Sequence, residues 1–406
     1  MKIAIVGAGP SGLYLAILLK RRCPHWPVGV VEQNAPDATF GFGVVLADAG
    51  LNRLQAADAA THAALVEKMT FTTAQVISTR GTPITVKRPG AGGGAIARID
   101  LLHVLQDAAT RAGVDIRFGT RIQHPDDLQA LGLADADVIV GADGVNSVLR
   151  GAGELAFGTT REFLSNHFAW FGVGKAFPTA ALVFRQYEGG AFVAHYYPYT
   201  ASHSTFVAEC DHATWQRFGM EQMPNEQRQA LFETVFTPEL DGHLLVSNNS
   251  NWRQFPVIRN KHWHHGRQVL IGDAETSAHF SIGSGTRIAM EDAIALADAL
   301  VRDGDNASVG AIDRLRLFAR TRGPEKSKLI SASEKSYRWY ENIAEWMERY
   351  TPYEFVHAFM TRTGRVSDQR LAAAYPDLMR QIIDARRAQA QAAPAAHPSP
   401  ETTELR

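Results

Sequence analysis

The 406-residue chain predicts an α/β fold, in which a parallel-sheet half is interleaved with an antiparallel-sheet domain and followed by C-terminal helices. Three observations lead there. Residues 1–155 alternate strand-like and helix-like patterning; residues from about 160 to 255 are rich in aromatics and broken by turn signals; helical periodicity dominates after Gly272. The boundaries expected from these shifts are 1–155 plus 255–305 for a discontinuous first domain, 156–254 for the sheet domain, and 306–385 for a helical region. The last residues, 386–406, "RRAQAQAAPAAHPSPETTELR", carry almost no large apolar side chains. Burial cannot offset the entropy of ordering them, so a disordered tail is expected.

Composition excludes several classes of partner. At 45% hydrophobic and a formal net charge of −1, the chain can fill a large core and lacks the basic excess of a nucleic-acid-binding surface. Only Cys23 and Cys210 are present, which rules out a disulfide framework or a four-thiolate metal site and fits a reducing, cytoplasmic setting. The histidines of "RNKHWHHGR" (259–267) are irregularly spaced with no carboxylate or thiolate among them, and read as a solvated loop and not a metal centre. There is no run of eighteen apolar residues and no leader pattern, so no membrane partner is expected. We expect a monomer or homodimer.

The first element group is "KIAIVGAGPSGLYLAILLKRRCPHWPVGVVEQN". Ile3, Ile5 and Val6 read as a strand, Gly7-Ala8-Gly9-Pro10-Ser11-Gly12 matches G-x-G-x-x-G, Leu13 to Arg22 reads as a helix, and "VGVVE" as a second strand ending at Glu32. The glycines allow a tight turn, close approach of a pyrophosphate and close helix packing, and Glu32 can accept hydrogen bonds from ribose hydroxyls. A Rossmann-type dinucleotide site follows, with Gln33 beside Glu32. Next, "DVIVGADGVNSVLR" (137–150) is a buried strand that delivers Asp143 at its carboxyl end, where open α/β sheets bind ligands. Residues 165–215 then read as antiparallel strands with hairpin turns. Finally, in "RQVLIGDAETSAHFSIGSGTRIAMEDAIALADAL", a strand through Val269–Ile271 ends at Asp273, and Ala289, Ala293, Leu296 and Leu300 form the apolar stripe of a helix starting near Thr286. Its first turn offers unpaired N–H groups behind Gly283 and Gly285, a place for an electron-rich group.

These three landmarks together resemble the single-component flavin monooxygenases of the aromatic hydroxylase group, over about residues 1–370. Within that group, "GFGVVL" (Gly41–Leu46), "HYYPY" (His195–Tyr199), "HFSIGSGT" (His279–Thr286) and "MTRTGRV" (Met360–Val366) are most similar to the hydroxylases of salicylyl-CoA and 2-aminobenzoyl-CoA. The violacein-pathway tryptophan hydroxylase is similar in the first and third of these. The resemblance implies a Rossmann-type FAD-binding first domain and a substrate-binding sheet domain. It implies bound FAD, transient NADH or NADPH, dioxygen, and a small aromatic substrate that receives an oxygen atom on an electron-rich carbon. Carried over by position, Gly7, Gly9, Pro10, Ser11, Gly12, Glu32 and Gln33 would hold the ADP half, Arg98 the flavin chain, and Asp273 the ribityl hydroxyls. Asp143, helped by Arg150, would serve the nucleotides, and Gly283, Ser284, Gly285 and Thr286 would face the pyrimidine edge of the flavin.

The aromatic middle zone supplies Phe168, Trp170, Phe184, His195 and Tyr197 as cleft-lining candidates, joined by His279, with Val45 and Phe280 as further substrate contacts. His195 and His279 are the catalytic candidates, because imidazole titrates near neutrality and can tune the proton of a phenol or aniline. Glu275 and Thr276 depart from the group's Gly-Asp-Ala-Ala-His, whereas Phe280, in place of a proline, fits the narrower subfamily. A CoA thioester needs a basic exit for its phosphates, for which Arg161, Arg185, Arg253, Arg259 and Lys261 are candidates. A free indole-type or other aromatic is the alternative substrate. A halogenase would carry Trp-x-Trp-x-Ile-Pro, which the sequence lacks, and a non-catalytic flavin-binding protein is the third reading.

Overall fold

The computed structural model describes residues 1–39, 41–87, 93–283, 285–302 and 310–392. Among these, short apolar runs form a six-stranded sheet in the spatial order His264–His265, Gln268–Leu270, Val138–Gly141, Ile3–Val6, Val28–Val31, Asp115–Arg117. All neighbours but the first two strands are parallel. Parallel strands are covered on both faces, which is why Ile3, Ala4, Ile5 and Val6 are apolar without alternation and all buried. Helices Pro10–Arg22, Arg98–Arg111 and Gly285–Val301 cover one face through Leu15, Leu101, Leu105 and Leu296. Pro10 opens its helix where no N–H partner is needed. Three of the parallel strands end side by side, so Gly7, Asp143 and Asp273, which follow them, come to one edge of the sheet.

The second sheet runs Leu245–Ser247, Thr159–Val173, Ser204–Cys210, Gly190–Pro198, Ala180–Tyr187, Ala74–Thr79, Thr82–Lys87, with Arg253–Asn260 also on Thr159–Val173. It is antiparallel as expected except that Ala74–Thr79 lies parallel to Ala180–Tyr187. Two expected boundaries need correction. The hairpin 74–87 belongs to this sheet and not to the first domain, because Ile77, Ile84 and Val86 bury against Phe355 and Val356 of the C-terminal helices. Strand Arg253–Asn260 likewise crosses the expected junction at 254/255. One face of the sheet, through Ala169, Phe171, Ala194, Phe206 and Ala208, packs on helices of residues 212–240. The alternating residues, including Phe168, Trp170, His195 and Tyr197, face the other way.

The C-terminal region is helical, in Ala311–Tyr340, Ile343–Arg349, Pro352–Thr361, Asp368–Ala374 and Pro376–Ala392. The first of these begins against the first core, through Leu315 and Phe318, and ends at Tyr340 against the second sheet. The last helix corrects the expected disorder from 386: it continues to Ala392, because Ala, Gln and Arg propagate a helix already nucleated. The rest of the expected tail, 393–406, lies outside the described residues. No described helix is long and apolar enough to cross a membrane.

Candidate active site

A cleft of about 1880 Å³ runs between the carboxyl edge of the first sheet and the open face of the second. The three fingerprint glycines divide into two kinds. Gly7 has φ of +106°, and a Cβ on it would lie 2.4 Å from the Ala142 carbonyl oxygen; a Cβ on Gly12 would lie 2.1 Å from that of Gly7. Both are required by the protein's own packing. Gly9, in contrast, has nothing within 4 Å of its missing Cβ, and its open side faces the cleft. Glu32 accepts from the Ala8 N–H at 2.9 Å and from the Asn34 N–H at 2.9 Å and Nδ2 at 2.7 Å, which ties the fingerprint turn to the second strand and leaves acceptor capacity free. Pro10, Ser11 and Gln33 line the same end.

Further along the cleft stand Arg98, Asp143 and Asp273. Arg98 is not a surface arginine: its buried Nε has no partner among the described residues, and burial lowers its pKa against the pull of Asp273. Asp143 caps Val148 N–H through Oδ2 at 2.7 Å, and its buried Oδ1 is likewise unpartnered. Asp273 lies exposed on the cleft wall yet deep between the two domains, so desolvation raises its pKa while Lys326 and Arg98 oppose the rise. Gly283 has φ of +56°, and beyond it the N-terminus of Gly285–Val301 opens on the cleft with Gly285 and Thr286. Ser284 lies outside the described residues. A glycine cradle, an orphan guanidinium nitrogen and an orphan carboxylate oxygen along one groove fit a dinucleotide with a pyrophosphate and hydroxyl groups. Arg150 takes a different role from the one expected. It is fully buried, donating to the Ala274 carbonyl at 3.0 Å and to that of Val145, and so it joins the Asp143 and Asp273 loops to each other without facing the cleft.

The far wall is aromatic. Phe280 lies 4.8 Å from Phe168, 5.5 Å from Trp170 and 5.5 Å from His195, centroid to centroid. Val45 and Tyr197 complete this wall; the Tyr197 hydroxyl donates to the Gly43 carbonyl at 2.8 Å, and burial pushes its pKa up to about 12. Two candidates do not reach the wall. Phe184 is in the core beneath the C-terminal helices. His279 is buried behind Phe280, stacked on it at 4.1 Å, with Nδ1 accepting from Ser281 N–H at 3.2 Å. It caps the loop and does not line the cleft, which differs from its expected place. Burial holds its pKa down to about 4, so it is neutral.

Several residues escaped the sequence. Arg362 of helix Pro352–Thr361's C-cap holds the loop from behind, donating to Ser281 O at 2.9 Å and Ser336 Oγ at 2.9 Å. Glu209 pairs with His195. Lys326 pairs with Glu275. A lone acid in the apolar strand "STFVAEC" was the only available signal for Glu209; Arg362 lies within "MTRTGRV", where no role was assigned to it, and nothing local marks Lys326.

A groove shaped for a dinucleotide that ends in an aromatic wall defines a flavoprotein that acts on ring compounds. Residues 1–314 match the model of the FAD binding domain family, and the chain belongs to that family. It is 38% identical over 372 residues to the salicyloyl-CoA 5-hydroxylase of a Streptomyces species, covering 89% of this chain and 70% of that protein. It is 32% identical over 370 residues to the protodeoxyviolaceinate monooxygenase of Chromobacterium violaceum, covering 89% and 94%. Its fold is similar to that of 2-methyl-3-hydroxypyridine-5-carboxylic acid oxygenase, with a TM-score of 0.69 across 93% of this chain and 97% of that one at 18% identity. The chain is an FAD-dependent aromatic hydroxylase, of a family in which NAD(P)H use is typical.

Proposed function

We propose that the substrate is an aromatic acyl thioester of CoA, with salicylyl-CoA as its type, hydroxylated on the ring. Arg253 is the observation that carries this reading. Of the basic residues considered for the phosphates, Arg185 is held by Glu239 at 2.7 and 2.8 Å, Arg161 pairs with Glu154 at 3.2 Å, and Arg259 donates to the carbonyls of Ile258 and Ser277. None of these, nor Lys261, lines the cleft. Arg253 does, with its guanidinium 5.7 Å from the Phe168 centroid and 5.5 Å from that of Trp170, and with no carboxylate partner among the described residues. An aryl group held by Phe280 and Trp170 would run its anionic tail towards this cation. The 38% identity to a salicyloyl-CoA hydroxylase points the same way.

When bound, FAD supplies the redox chemistry and the activation of dioxygen. In this reading Gly9, Glu32 and Arg98 hold the dinucleotide, Asp273 accepts from its ribityl chain, and the helix start at Gly285–Thr286 stabilises negative charge on the ring edge. Phe280, Trp170, Val45 and Tyr197 orient the aromatic ring and exclude water. The protein works in the cytoplasm as a monomer or homodimer. The test is steady-state NAD(P)H oxidation and product analysis with salicylyl-CoA, 2-aminobenzoyl-CoA, free salicylate and tryptophan. Salicylyl-CoA or its amino analogue should accelerate oxidation most and yield hydroxylated thioester. Acceleration by a free aromatic with none from either thioester would overturn the thioester assignment.

A further inference from the structure

We infer that His195 and Glu209 form a proton-accepting pair for a ring hydroxyl of the substrate, with His195 as catalytic residue and Glu209, locked by Asn166, as positioning residue. The inference rests on the aromatic-hydroxylase reading and deepens it, since it requires a substrate that carries a hydroxyl on the ring.

Sheet register brings the three side chains together. His195 is opposite Val207, so Glu209, two residues on, is its diagonal neighbour on the same face. Phe168 is opposite Glu209, so Asn166, two residues back, is the next diagonal neighbour across the adjacent strand. His195 Nε2 lies 2.9 Å from Glu209 Oε2, and Asn166 Nδ2 donates to Glu209 Oε1 and to the Tyr340 carbonyl, both at 3.0 Å. Glu209 is 1% exposed. Burial pushes its pKa up, but the polar contacts with His195 and Asn166 oppose burial and hold it below the usual carboxylate range. An ionised carboxylate cannot donate, so Nε2 carries the proton of this bond, and in the neutral imidazole Nδ1 is then the acceptor. Nδ1 makes no hydrogen bond among the described residues, and His195 lines the cleft.

The surroundings suit a base. The ring of His195 stacks on Tyr340 at 5.4 Å and meets the edge of Phe280 at 5.5 Å, which fixes its plane. Of the titratable groups packed around it, His279 is neutral, the Tyr340 phenol is held protonated by burial, and Arg362 sits 6.0 Å from the Tyr340 centroid, engaged with Ser281 and Ser336. Glu209 is the group that matches a charge on His195. In the step, the substrate O–H bond breaks, an N–H bond forms at Nδ1, and the electron pair stays on the ring oxygen. Electron density then rises on the ring carbons ortho and para to it, and Glu209 balances the imidazolium until the proton returns to the product oxygen or to water.

The test uses purified FAD-loaded protein without NAD(P)H and a chromogenic phenol, 5-nitrosalicylate or its CoA thioester, whose phenolate absorbs in the visible. Bound to the wild type, the probe should ionise at a pH at least about one unit below that of the free probe. In His195→Asn and Glu209→Gln, with FAD content checked, the bound midpoint should return to near the free value. Glu209→Gln keeps the Asn166 contact, and if it fails to fold, His195→Asn decides alone. Binding with one unchanged midpoint in wild type and variants overturns the pair and leaves the hydroxylase reading standing. Failure of every hydroxyaryl probe to bind the FAD-loaded wild type overturns that reading and the pair with it.

Discussion

At residue scale, Gly7, Gly9 and Gly12 show how identical letters take different duties. Gly7 and Gly12 lack a Cβ because the neighbouring backbone leaves no room, whereas the space beside Gly9 opens on the cleft. Gly9→Val should therefore match the FAD-stripped wild type to within about 1 kcal/mol, as expected of a surface change, yet be purified colourless. Flavin content and a thermal melt on one sample check it, and retained FAD would remove Gly9 from the cradle. The burial of His279 depends on the helix Ala311–Tyr340 that closes over it, an element distant in sequence. Its folded pKa of about 4 lies below the unfolded value of 6.5. The unfolded chain thus binds the extra proton first, and stability falls as pH drops from 6.5 towards 4, by on the order of 3 kcal/mol from this group. His279→Asn keeps an acceptor for Ser281 N–H and removes the titration, so its melting temperature should vary less over that window; an unchanged slope would contradict the assignment. His167, also lowered to about 4 by burial, should keep part of the slope.

At the scale of elements, the departure at Glu275 finds its reason in a buried ion network. Lys326 Nζ lies 2.5 Å from Glu275 Oε2 and 2.6 Å from Asp292 Oδ2, while Arg322 meets Asp292 at 2.9 Å and Glu291 at 3.0 Å. Arg322 and Lys326, four apart on Ala311–Tyr340, share the face turned to helix Gly285–Val301. Burial opposes the charge on Lys326, but Asp292 and Glu275 outweigh it and raise its pKa. Asp292 also accepts from Gly272 N–H at 3.1 Å, so the network sets the turn that presents Asp273. Lys326→Met should cost about 3–5 kcal/mol, the penalty for leaving buried carboxylates uncompensated, and weaken FAD binding. Adding Glu275→Ala should recover part of that loss. Denaturant unfolding of wild type, both single variants and the double variant measures the coupling, and strict additivity would show that the two side chains do not depend on each other.

Across the whole molecule, legibility followed the range of the interaction that decides each feature. The parallel half was readable because unbroken apolar strands, a glycine turn and a following helix are local signals, and parallel neighbours bring their carboxyl ends together of necessity. The hairpin 74–87 was not, since its choice of sheet depends on an apolar face offered by helices near the chain's end. The aromatic wall was half readable: the aromatic middle zone offered Trp170, His195 and Tyr197 as cleft candidates, but only the pairing register reveals Glu209 beside His195. Arg253 stands apart from the other four basic candidates only once the cleft lining is seen. All of these features converge on transfer of an oxygen atom to a ring in a cleft shared by two domains. The most direct measurement is a single turnover assay with salicylyl-CoA, NAD(P)H and isotopically labelled dioxygen, followed by mass analysis of the thioester and assay of peroxide. A labelled ring hydroxyl formed in near equivalence to the NAD(P)H consumed, with little peroxide, is the expected result. NAD(P)H oxidation that ends in peroxide, with no labelled ring from this or any other aromatic compound tried, would contradict it.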